Sequence, residues 1–124
     1  NEVWVSDVTY YTYNQIRYYI CVIIDLFARK VVAWKISKKN STQLTKKTFM
    51  QAYSSREITN DLLFHSDQGS NFVSKTFMNY LKGLNVKQSF SKPGRPTIIP
   101  FVNHFSAILN RKNYTVTNTK LLKN

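Results

Sequence analysis

Residues Tyr18 to Leu26 are apolar on both faces until Asp25 interrupts them, and no other stretch limits the folding options of this chain so much. The run is far shorter than the roughly 20 residues that a membrane-spanning helix needs. An apolar run of this length, with no polar face, belongs in the middle of a sheet covered on both sides. The stretch before it, Val3 to Tyr10, alternates: Val3, Val5 and Asp7 fall on one face, and Trp4, Ser6 and Val8 on the other. The stretch after it, Lys30 to Ile36, reads as a third strand beyond the short link Phe27-Ala28-Arg29. Three strands joined by short links predict an antiparallel meander.

A change of period follows the meander. Asn40 and Gln43 have capping-box spacing, and Leu44, Thr48 and Ala52 recur at helical intervals, so a helix is expected from Asn40. Leu62 to His65 reads as a short buried strand ending in the polar loop Ser66-Asp67-Gln68-Gly69-Ser70, where the glycine suits a sharp turn. One glycine makes no phosphate cradle. Ser74 is placed to cap a second helix carrying Phe77, Met78, Leu81 and Leu84, and Val86 to Phe90 alternates as a strand. After the basic loop Ser91 to Pro96, a last helix is expected from near Pro100, with Phe101, Phe105, Ile108 and Lys112 along one stripe. Thr115 to Asn124 has no strong pattern. The element order predicts one α/β domain with a five-stranded mixed sheet, and 124 residues suit a single core. The first residue is not Met and the first strand begins at once, so the chain reads as a piece of a longer protein.

Charge points to the partner. Eighteen Lys and Arg against six Asp and Glu give +12, an excess that suits a polyanion, most often nucleic acid, although it also serves as a solvated basic surface. With 43% hydrophobic and 15% aromatic residues, the chain is neither disordered nor low in complexity. The acids are Glu2, Asp7, Asp25, Glu57, Asp61 and Asp67, so residues 68–124 supply no carboxylate to any site. Cys21 stands alone and reads as a small buried thiol, and neither His65 nor His104 has Cys partners at zinc spacing. Asp25 is expected to cap its turn or pair with Arg29, Trp4 and Trp34 to sit in the core, and His65 to make a structural hydrogen bond.

Asp7 lies within an apolar strand, where a carboxylate needs an explanation. If its strand neighbours the one that ends before Asp67, both carboxylates meet at one edge of the sheet. They then repel unless a divalent cation lies between them, the arrangement of a magnesium site for phosphoryl transfer. The alternative is that Asp67 caps a turn and Asp7 pairs with a lysine.

Four segments in order carry a family resemblance: Trp4-Val5-Ser6-Asp7-Val8-Thr9-Tyr10, Val22 to Trp34, His65-Ser66-Asp67-Gln68-Gly69-Ser70-Asn71-Phe72, and Gly94-Arg95-Pro96. Together they closely resemble the catalytic core of bacterial insertion-sequence transposases related to retroviral integrases. The resemblance covers residues 3 to 114, which makes 1–114 the expected core domain and 115–124 a truncated continuation. It implies an RNase H-like fold with sheet order 3-2-1-4-5. It also implies Mg2+ or Mn2+ as cofactor, with Asp7 and Asp67 as the first two metal ligands of an acidic triad.

The third member of the triad departs from the pattern. The family has a Glu after 35 intervening residues; residues 68 to 102 are that interval, and Asn103 stands in its place. The Asp-Asn pair preceding it in the family has become Ile98-Ile99, and Asn110 stands where the family usually has Lys. An Asn oxygen can ligate magnesium but brings no charge and is one methylene shorter. Metal-dependent DNA cleavage and strand transfer are therefore expected to be impaired in this chain. A degenerate, non-catalytic module that binds DNA or a partner transposase is the rival. Lys87, Lys92 and Arg95, around the loop before the last helix, are the expected contacts to DNA phosphates. The resemblance further implies a homodimer acting on element ends and target DNA in the bacterial cytoplasm, with no membrane segment and no small-molecule cofactor.

Overall fold

A computed structural model of the chain describes residues 3–58 and 61–92 in full, and the backbone of 114–117 and 120–123. Three long strands open it: β1 (Val3–Tyr13), β2 (Ile16–Asp25) and β3 (Lys30–Ser37). They form the expected antiparallel meander, with Trp4 opposite Asp25 and Ile23 opposite Ala33. The first link is Asn14-Gln15, both left-handed at φ of 50° and 65°, a mirror-image turn that matches the strand twist. At the second link, Asp25 Oδ1 accepts from Phe27 N at 3.0 Å and from Ala28 N at 3.1 Å, so capping of the turn is its role. Burial works against this charge, but the N–H groups of Ala28 and Phe27 help hold the carboxyl below its ordinary range.

The chain then crosses the sheet on α1 (Thr42–Ser54) and returns as β4 (Leu63–Ser66), parallel to β1. The cap of α1 is Ser41, which accepts from Leu44 N, one residue later than the expected Asn40. Asn40 is engaged elsewhere, accepting from the side-chain amide of Asn71. A short α2 (Ser70–Val73) leads into α3 (Lys75–Gly83), capped by Ser74 as its sequence predicts, and β5 (Lys87–Phe90) pairs parallel with β4. The helix α3 closes with Val86 N donating to Leu81 O at 3.0 Å and Asn85 N to Lys82 O at 3.1 Å, with Asn85 left-handed at φ 59°. The five-stranded sheet has the order β3-β2-β1-β4-β5.

One side of the sheet packs on the helices through aromatic side chains. Phe49 of α1 meets Trp4 of β1 at 5.6 Å between ring centres, Phe64 of β4 at 5.3 Å and Phe77 of α3 at 6.3 Å. All four rings are fully buried, and edge-on contacts of this kind add about 0.5–1.5 kcal/mol each beyond the area they bury. Cys21 is buried as expected, with its thiol pushed up to about 11 by burial. Trp4 is core and Trp34 half-buried. Met78, in the expected stripe of α3, is instead exposed.

At the end of the chain, where the sequence shows no strong pattern from Thr115 onwards, β6 (Tyr114–Thr117) and β7 (Lys120–Lys123) form an antiparallel hairpin. The expected last helix from Pro100 lies outside the described residues. Gln15 and Asn85 carry side chains in a backbone region that costs L-residues about 1–2 kcal/mol. Gln15→Gly is expected to raise unfolding stability in urea by ~1 kcal/mol, and Asn85→Val to lower it by ~1–2 kcal/mol. Stability lost on Gln15→Gly would contradict the turn geometry.

Candidate active site

The parallel pairing of β1 with β4 positions the acids. Val3 is opposite Leu63, Trp4 opposite Phe64 and Val5 opposite His65. Asp7 therefore lies two residues beyond the last paired position of β1, and Asp67 two residues beyond that of β4, on the same edge of the sheet.

Asp7 is half-buried, and its carboxyl is raised to about 6. Burial is the larger cause and the negative charge of Asp67 the second; the N–H of Val8, which donates to Asp7 Oδ1 at 2.9 Å, opposes both. Among the described residues, the charge that bears on Asp7 is Asp67 and not a lysine. The two carboxylates are close enough to repel.

Asp67 is exposed, and its Oδ1 accepts from Gly69 N at 2.7 Å. It does cap its own turn, so the capping and the convergence on Asp7 hold together. Gly69 departs from expectation: at φ −59° and ψ 150° its backbone suits any residue, so no special turn conformation requires glycine there. The constraint is space, because a Cβ at position 69 would lie 2.9 Å from Asp67 Oδ1.

A cavity of about 150 Å3 opens beside Asp67, lined by Val8, Asn40, Gly69, Ser70, Asn71 and Phe72. The buried Asn71 spans it to Asn40, tying the start of α1 to α2. Thr42 Oγ1 donates to Ser74 Oγ at 3.0 Å and strengthens the tie. Sequence reasoning missed this amide pair; the only hint was that Asn40, Ser70 and Asn71 are uncharged polar residues flanking predicted elements. His65 keeps to a structural role, its Nδ1 2.6 Å from Ser89 Oγ.

The expected basic cluster divides. Lys92 follows β5 on the Asp67 side, where Ser91 N donates to Ser66 O at 2.9 Å and Gln68 Nε2 to Ser91 O at 3.3 Å. Lys87 instead starts β5, opposite Leu63. Four residues of parallel strand, roughly 13 Å, put it at the far end from the acids, because β5 runs parallel to β4. Arg95 and Asn103 lie outside the described residues. Among the described residues, no three His, Cys, Asp or Glu side chains gather into a metal site, and Asp7 with Asp67 is a pair. Nor is any described helix long and apolar enough to cross a membrane.

A mixed sheet in this order, with two acids converging at one edge, defines an RNase H-like core. The chain belongs to the integrase core domain family, which matches residues 1–96. It is 31% identical over 112 residues to the transposase for insertion sequence element IS904 of Lactococcus lactis, covering 90% of this chain and 44% of the relative. It is 32% identical over 94 residues to the putative transposase InsK for IS150 of Escherichia coli, covering 76% of this chain and 33% of the relative. The chain thus spans less than half the length of these curated relatives. Among solved structures, the HTLV-2 integrase catalytic core domain in complex with magnesium is 26% identical with a TM-score of 0.71, over 90% of this chain and 68% of that one. A chain of the simian T-cell lymphotropic virus intasome structure has a TM-score of 0.74 at 20% identity, over 90% of this chain and 39% of that one, a likeness of fold.

The raised carboxyl of Asp7 works against folding above pH 6, because the folded chain holds this proton more tightly than the unfolded one. The penalty is full above about 6 and fades as pH falls towards the ordinary carboxylate value of 3.8. Asp7→Asn is expected to stabilise the metal-free chain by about 1–3 kcal/mol at pH 7.5, with the gain shrinking towards pH 4. Thermal melts of both proteins across that range check it; equal melting at pH 7.5 would contradict it.

Proposed function

We propose that this chain is a DNA transposition core whose Asp7 and Asp67 hold a divalent cation, Mg2+ or Mn2+, and whose catalysis is weakened by Asn103. The observation that carries the reading is the convergence of Asp7 and Asp67 on one sheet edge, close enough that one raises the other's carboxyl. The donor set fits the ion: two hard carboxylate oxygens that repel in its absence, the pattern a divalent cation relieves. When bound, the cation stabilises charge on the attacking and leaving oxygens of a phosphodiester.

The residues of the chain supply position. Asp7 is fixed by its strand and partly withdrawn from water, while Asp67 is held by the Gly69 N–H. Lys92, beside the loop that carries Asp67, is placed to take a DNA phosphate, and Arg95 is proposed with it. Lys87 is the weaker candidate, being at the opposite end of β5. Such contacts position the duplex without reading its sequence. DNA in the bacterial cytoplasm and a second copy of the chain are the proposed partners.

Asn103 brings no charge to the third ligand position, and residues 68–124 hold no acid to replace it. A site of two carboxylates in place of three stabilises the metals less, and catalysis of this kind rests on positioning and charge. This favours a second reading, a non-catalytic module that binds DNA or a partner transposase. The test is nicking of a supercoiled plasmid in Mg2+ and in Mn2+ by the unaltered chain and by Asn103→Glu. Little or no nicking by the unaltered chain and at least a tenfold gain in the variant are expected, since one metal-held charge is worth several kcal/mol. Efficient nicking by the unaltered chain would overturn the impairment. If neither protein cuts but both bind DNA and inhibit an intact transposase, the second reading holds.

A further inference from the structure

We propose that Gly69 is a positioning residue for the metal-facing carboxylate of Asp67, selected for the room it leaves and not for its backbone freedom. The inference rests on the metal role proposed above for Asp67. Gly69 has φ −59° and ψ 150°, which every residue adopts without strain. It is exposed at the head of α2, so neither core packing nor helix geometry asks for glycine. What the position excludes is a Cβ. Built on this backbone, that atom lies 2.9 Å from Asp67 Oδ1 and 3.8 Å from both Asp67 Cγ and Phe72 Cδ2.

The two longer contacts are ordinary van der Waals distances; the clash is with the carboxylate oxygen alone. That oxygen is the tip of an exposed side chain, so it yields before the backbone does. The same oxygen accepts the Gly69 N–H at 2.7 Å, and turning away from a Cβ at 69 removes it from that donor. A methyl group here should therefore spare the fold and misplace the ligand. The usual penalty is reversed: a Gly→Ala change at a permissive φ and ψ stabilises a chain by restricting its unfolded state. Outer-shell contacts that orient a metal ligand are typically worth 10–100-fold in affinity.

The test is Mn2+ titration by calorimetry, together with thermal melting in chelator, on the unaltered chain, Gly69→Ala and Asp67→Ala. The expected result is at least tenfold weaker Mn2+ binding in Gly69→Ala, with a metal-free melting temperature equal to or above that of the unaltered chain. In the Asp67→Ala background nothing opposes the methyl group, so adding Gly69→Ala should raise melting or leave it unchanged. That arm keeps the test decisive if the single variant folds poorly: rescue by Asp67→Ala supports the clash, and no rescue refutes it. Equal Mn2+ affinity in Gly69→Ala and the unaltered chain overturns the inference while leaving the metal role of Asp67 intact. Absence of Mn2+ binding by the unaltered chain overturns both.

Discussion

The parallel pairing of β1 with β4 is the constraint on which the rest depends. Strand side chains alternate, so a slip of one residue would carry Asp7 to the other face of the sheet and part it from Asp67. Trp4 and Phe64, opposite one another in that pairing, are both buried against Phe49, which lies 5.6 Å and 5.3 Å from them. Phe77 of α3 closes on Phe64 at 5.6 Å. The aromatic cluster that joins both helices to the sheet thus fixes the register, and the register fixes the distance between the acids. Stability and site geometry rest on the same side chains.

At the site itself the two acids are held differently. Asp7 is set within a strand, half-buried and costly as an anion, with one backbone donor against burial and a like charge. Asp67 is exposed and oriented by a single N–H in a loop that leaves no room for another Cβ. The ties from Asn40 to Asn71 and from Thr42 to Ser74 hold that loop against the start of α1. An arrangement that repels itself without a cation is poorly explained by folding alone, and relief by a divalent ion is its chemical counterpart.

Much of the sheet was legible because its strands are long and distinct in pattern. The both-face apolar run of β2 announces a central strand, and the alternation of β1 puts Asp7 on the other face of the strand from Trp4 and Ser6. The caps were less legible. Asn40 and Ser41 are both good capping residues, and what chose Ser41 was the partner Asn71, 31 positions away. In sequence Gly69 suggests backbone freedom, because glycine most often serves it; only the position of the Asp67 carboxylate reveals the steric reason. Lys87 and Lys92 are close in sequence, yet an extended strand separates residues faster than any other element. In the hairpin, Tyr114 to Thr117 of β6 alternate over only four residues and Lys120-Leu121-Leu122-Lys123 of β7 do not alternate at all, too little period to announce two strands. Asn103 is read from its spacing to Asp67 and from the family resemblance alone.

The central claim, that Asp7 and Asp67 form one divalent-cation site, is tested most directly by following the Asp7 carboxyl by NMR through a pH titration. The titration is run with and without Mg2+, in the unaltered chain and in Asp67→Asn. The expected midpoint is about 6 without metal, falling by at least one pH unit in saturating Mg2+. In Asp67→Asn the metal-free midpoint should drop part of the way, since burial remains, and the response to Mg2+ should vanish. An Asp7 that titrates in the ordinary carboxylate range whatever the metal and whatever stands at position 67 would contradict the claim.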